Sequence, residues 1–134
     1  MRRAVDPTEL TPLQIQRRLR TWARTSDSHV YAAVELLISH DAWLGRRDFL
    51  TVAVRSREPA IGWINWRAAR EAFGAGRFDQ SSTTERAVLD LAIALGEDRY
   101  RLSAMGPHNA AVIATAVALA AELVHPALKG TRTP

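Results

Sequence analysis

The run from Pro107 to Val124 constrains this chain more than any other stretch. After Pro107-His108-Asn109 come fifteen residues of which only Thr115 and Glu122 are polar. Pro107 suits the first turn of a helix, where its missing N–H would be unpaired anyway, and Gly106 before it is a permissible cap. The Ala, Leu, Val and Ile that follow leave no polar face. A helix apolar all round is either packed on every side or crosses a membrane. Crossing takes roughly 20 apolar residues, and Glu122 and then His125-Pro126 stop this run short. The expectation is a core helix over 107–124, roughly 27 Å long at 1.5 Å per residue, and no membrane partner.

The rest of the chain offers helices to pack around it. Asp6-Pro7-Thr8-Glu9 reads as one capped turn. Thr11-Pro12-Leu13-Gln14 is a capping-box signature, and Ile15, Leu19, Trp22 and Ala23 lie on one face of the helix it starts, which runs to about Arg24. Thr25 to Ser28 break and re-cap the chain. A second helix then covers about His29 to Ser39, with Val30, Val34, Leu37 and Ile38 as its stripe. Residues 41–57 are ambiguous between one helix, two helices and a partly extended segment. Helix is favoured, because no second strand-like segment is evident to pair the β-branched run and an isolated strand leaves backbone groups unpaired. Arg55 to Pro59 reads as a loop, and a helix is expected from Ile61 to Ala75 on an Ile61/Ile64/Ala68/Ala72 stripe. Ser82-Thr83-Thr84-Glu85 is a second capping box, and Gly96 a stop after Leu95.

The expected fold is therefore all-α: one compact domain of five to six helices around a buried C-terminal helix. An arm with a capped turn occupies 1–10, the helical domain 11–125 and a flexible tail 126–134.

Chemistry is sparse. The absence of cysteine removes disulfides, thiolate nucleophiles and Cys-ligated metals, and the N-terminus has no apolar segment after its arginines and so no secretory signal. Both fit a cytoplasmic protein. His29 and His40 share a helical face but sit about 16 Å apart at 1.5 Å per residue, too far for one metal. H-E-x-x-H, a phosphate loop and a dinucleotide fingerprint are all missing. No catalytic residue, metal or cofactor is expected, and the chain reads as more plausibly non-enzymatic.

Binding surfaces are better candidates. Seventeen of the eighteen basic residues are Arg, and residues 1–30 carry six Arg against three acids. Arg17, Arg20 and Arg24, with Arg2 and Arg3 as an extension, make a stripe able to meet phosphates or an acidic protein. A helix-turn-helix over 101–119 is rejected, since its recognition helix would offer only Asn109 among Ala, Val and Ile where base readout needs polar side chains. Trp63 and Trp66, each four residues before Arg67 and Arg70, form the other patch. On a helix these pairs would stack as cation–π contacts of about 0.5–1 kcal/mol each, and Trp and Arg are enriched at interface hot spots. Trp22 and Trp43 belong to the core. The reading is an adaptor, regulatory or self-associating helical module that meets a protein partner or a second copy through Trp63, Trp66, Arg67 and Arg70. The alternative is a nucleic-acid-binding regulator using the N-terminal Arg face.

Overall fold

In the computed structural model, which describes residues 3–124, the capping residues do what their spacing implies. Asp6 accepts from Thr8 N at 2.9 Å and starts a 3-10 turn, Pro7–Glu9. Thr11 and Gln14 exchange both capping-box hydrogen bonds, at 3.2 and 2.9 Å, and launch helix α1, Pro12–Arg24. Helix α2, Ser28–His40, follows the break. Ser82 and Glu85 form the second capping box at the head of helix α5, Thr83–Gly96.

Between α2 and α5 the all-α expectation fails. Residues 41–57 divide into a 3-10 turn, Trp43–Gly45, a short helix α3, Arg47–Ala53, and a strand. That strand, β2, Val54–Arg57, pairs antiparallel with β3, Ile61–Ile64, across a Glu58-Pro59-Ala60 turn. Strand β1, Ala4–Val5, adds to the other edge of β2. The fold is mostly helical with a small three-stranded sheet. The segment expected as loop plus helix is a hairpin, and helix α4 begins only at Trp66 and ends at Gly74, with Asn65 as its cap accepting from Ala68 N at 3.0 Å.

The hairpin wins for local reasons. Gly62 in a helix interior costs about 1 kcal/mol against Ala. In the strand the same glycine lets α1 close on the sheet: a Cβ there would meet Arg18 Cβ at 3.2 Å and Arg55 O at 3.3 Å. Arg18 donates to the buried Ser56 hydroxyl at 2.8 Å, while Ser56 donates to Ile61 O at 2.8 Å. Ser56, expected in a loop, pairs here with both Arg18 and Ile61.

The core lies among α1 to α5 and the inner sheet face. Trp43, Phe49 and Phe78 are fully buried and meet edge-on or tilted, with centroids 5.2 to 6.0 Å apart. Trp43 Nε1 donates to Glu85 O at 2.9 Å, so the largest core side chain leaves no polar atom stranded. Leu37, Val34, Leu89 and Ile93 fill the α2–α5 contact. Trp22, expected in the core, packs half-buried against it.

The described residues form two compact units, one ending at Tyr100 and one beginning at Arg101. The second holds a 3-10 turn, Leu102–Ala104, and helix α6, Gly106–Val124. The helix is where the apolar run places it, but the expectation that it forms a buried centre is wrong: Val112, Val117 and Leu119 are 54%, 62% and 54% exposed. The buried core cluster is drawn entirely from residues 15–93. An apolar helix must be covered, but nothing requires the cover to be the elements that precede it. The expected tail, 126–134, lies outside the described residues, as does Arg2.

Candidate interaction surfaces

The residues expected to meet a partner do not lie on one helix. Trp63 sits in the middle of β3, where alternation along the strand decides its surroundings. Val54, Ser56, Gly62 and Ile64 point inward and are buried. Arg55 opposite Trp63, and Arg57 opposite Ile61, share the outer face, with Ala4 of β1 beside Arg57. Trp63 is half-buried, and the guanidinium stacked on it is that of Arg57, 5.1 Å from the ring centroid. The i, i+4 geometry expected with Arg67 requires a helix that does not extend back to Trp63.

Trp66 opens α4 and belongs to the fold's interior more than to its surface. Its ring lies flat against Gly96, so closely that a Cβ on Gly96 would fall 2.2 Å from it. Gly96, read as a mere helix stop, is there because nothing larger fits under the indole. Arg70, four residues on, turns away to α5: it donates to Asp90 at 2.7 Å and to Glu97 at 3.4 Å, and stacks 5.8 Å from Phe73. Partial burial works against its charge, but the Asp90 hydrogen bond and the charges of Glu97 and Asp90 outweigh that and raise its pKa. Arg67 is 90% exposed and pairs with Glu71 one turn along. Of the four, Trp63 and Arg67 keep solvent access and Trp66 and Arg70 join α4 to α5.

The α1 arginines also separate. Arg20 forms a two-pronged pair with Glu35 of α2, at 2.9 and 3.2 Å, and that hydrogen bond holds the Glu35 carboxyl below its usual range. Arg17 and Arg24 are exposed. Arg17 and Arg18 line a groove of about 250 Å³ that reaches the β2–β3 turn at Ala60. A larger, open groove of about 510 Å³ runs between α3 and α4, walled by Thr51, Arg55, Glu71 and Arg77.

His29 Nδ1 lies 3.0 Å from Leu95 O and ties the start of α2 to the end of α5, and His108 is exposed on α6. Among the described residues no three His, Asp or Glu side chains converge on a point that could hold a metal ion.

Sequence reasoning missed α6 as a surface. From Ala110 to Ala121 it carries no charge. Ala111, Ala114, Ala118 and Ala121 recur at three- and four-residue spacing, which places them on one side of the helix. Among the described residues no helix is long and apolar enough to cross a membrane. No protein family, no curated protein and no solved structure matches the chain.

Proposed function

We propose that this protein is a non-enzymatic helical interaction module that self-associates, with α6 as the contact face. One observation carries the reading: a nineteen-residue helix with no charge between Ala110 and Ala121 whose Val112, Val117 and Leu119 are more than half exposed. Contiguous apolar surface of that kind marks interaction sites. A second copy of the same helix is the partner its chemistry fits best. The uncharged stretch offers no ionic pattern by which a foreign partner would be selected, and nothing on it repels an identical helix. The Ala side lets two backbones approach closely, and Val117 at its border then supplies buried area.

Trp63 and Arg67 stay accessible for a further partner, while Trp66 and Arg70 contribute by holding α4 in place.

The test is solution mass by light scattering across a concentration series. The parent chain is expected to be a dimer or larger, and Val117→Glu with Leu119→Glu a monomer whose 1–100 unit melts as in the parent. A parent chain that is monomeric up to its solubility limit would remove the proposal.

A further inference from the structure

We propose that the outer face of the sheet docks a short segment of single-stranded nucleic acid, with the stacked Trp63–Arg57 pair as its platform and Arg55 beside it. The argument starts from which guanidinium groups are already neutralised. Arg20, Arg46, Arg67 and Arg70 each hold a carboxylate. Arg55 donates only to the carbonyls of Thr51 and Val54, and Arg57 makes its contact with the Trp63 ring. Neither has an acid partner among the described residues, and the strand register puts both on one face. The nearest acids along the chain and in the adjoining groove are engaged elsewhere: Glu58 faces Arg18 at 3.8 Å, and Glu71 faces Arg67. The face therefore carries unspent positive charge. Two further arginines stand at its margins, Arg77 in the groove that Arg55 lines and Arg17 in the groove that reaches Ala60.

Charge alone fits any polyanion. The aromatic component narrows the class. An exposed guanidinium lying over an indole presents a flat surface to solvent, and nucleobases stack on aromatic rings and on guanidinium planes alike. An acidic peptide would use the arginines but gain nothing from the ring. A duplex keeps its bases stacked internally and could offer only its backbone. The strands are four residues long, roughly 13 Å, room for a few nucleotides. This surface belongs wholly to the first unit, so the outcome is independent of whether α6 self-associates.

The experiment is anisotropy of a labelled, mixed-sequence oligodeoxynucleotide titrated with the full chain at low salt and then at rising salt. Binding is expected, weakening with a log–log slope of about −0.7 per phosphate contacted. Trp63→Phe should keep most of the affinity, and Trp63→Leu should lose about tenfold. Arg57→Ala, at an exposed position, should weaken binding severalfold while the melt of the chain stays at the parent value, so the proposal remains testable even if Trp63→Leu fails to fold. No binding by the parent chain at low salt overturns it. So does full affinity in both Arg57→Ala and Arg55→Ala, or a loss confined to Arg24→Ala, which would put the anion site on α1. Displacement by polyglutamate or by the matching duplex as effective as by unlabelled single strand would assign the face to an acidic protein or to backbone charge alone.

Discussion

Helices α5 and α6 have similar raw materials and opposite outcomes. Both are rich in Ala with Val, Leu and Ile. In α5 these residues share the helix with Glu85, Arg86 and Asp90, so one side faces water while Leu89, Ala92 and Ile93 are buried against α2. Its start is fixed by Ser82 and Glu85, and its last turn takes the Trp66 ring on Gly96. Helix α6 has no such division and stays exposed at Val112, Val117 and Leu119. Amphipathic division tells a helix where inside is. A helix without it has a stronger need for cover but no instruction about the source. That distinction separates what stabilises this chain from what it presents to others.

The sharpest way to break the contrast is to delete equivalent apolar bulk from each region. Phe49→Ala removes one member of the buried aromatic trio and is expected to cost about 3–5 kcal/mol, read by denaturant unfolding. Leu119→Ala should change the same transition by no more than about 0.5 kcal/mol. Equal losses would mean that α6 is part of the cooperative core. Next in size is Gly96→Ala. The new methyl group collides with the Trp66 indole, and a loss of about 1–3 kcal/mol is expected. Combining it with Trp66→Leu should cost less than the two separate losses, because the collision disappears with the ring; additivity would show that the contact is not what Gly96 serves. Ser82→Ala, which removes the α5 cap, should cost about 1 kcal/mol by thermal melting.

The smallest effect is electrostatic. Asp48 accepts from Arg46 at 3.0 and 2.7 Å and from Phe49 N at 2.8 Å, and its carboxyl is held below the usual Asp range, first by the Arg46 hydrogen bond, with burial opposing. A carboxyl whose folded pKa is depressed stabilises the fold above its unfolded pKa and loses that contribution as pH falls through the folded value. The pair is partly exposed, so screening limits it to under about 1 kcal/mol. Asp48→Asn should flatten the acid limb of the stability curve by that amount between neutral pH and pH below about 3.9. An unchanged limb would leave the pair without energetic weight.

The starts of α1 and α5 were legible because capping is local chemistry: Thr11, Gln14, Ser82 and Glu85 need only three residues of context. The start of α6 was legible from Gly106-Pro107. The hairpin was not, because four-residue strands are too short for alternation to stand out, and Ile61 and Ile64, three apart, match a helical stripe although on the strand they face opposite ways. Two local signs of it were present and went unweighted: Gly62 inside the supposed helix and Asn65, a strong N-cap, five residues too late for a helix starting at Ile61. Trp63 was singled out by type but assigned the wrong neighbours, since Arg57 reaches it across a turn and not along a helix. The exposure of α6 was illegible in principle: apolarity states that contact is needed and is silent about which molecule provides it.

The four indoles all fall between Trp22 and Trp66, and none lies in α6. Intrinsic emission therefore watches only the first unit: Trp43 in its core, Trp22 and Trp66 at the core's margin, Trp63 on the sheet. Helix α6 holds no indole of its own, so its melting is read through helical ellipticity at 222 nm and not through a fluorophore within it. A mismatch between the two signals on heating or dilution is the label-free signature by which the last helix can be followed on its own.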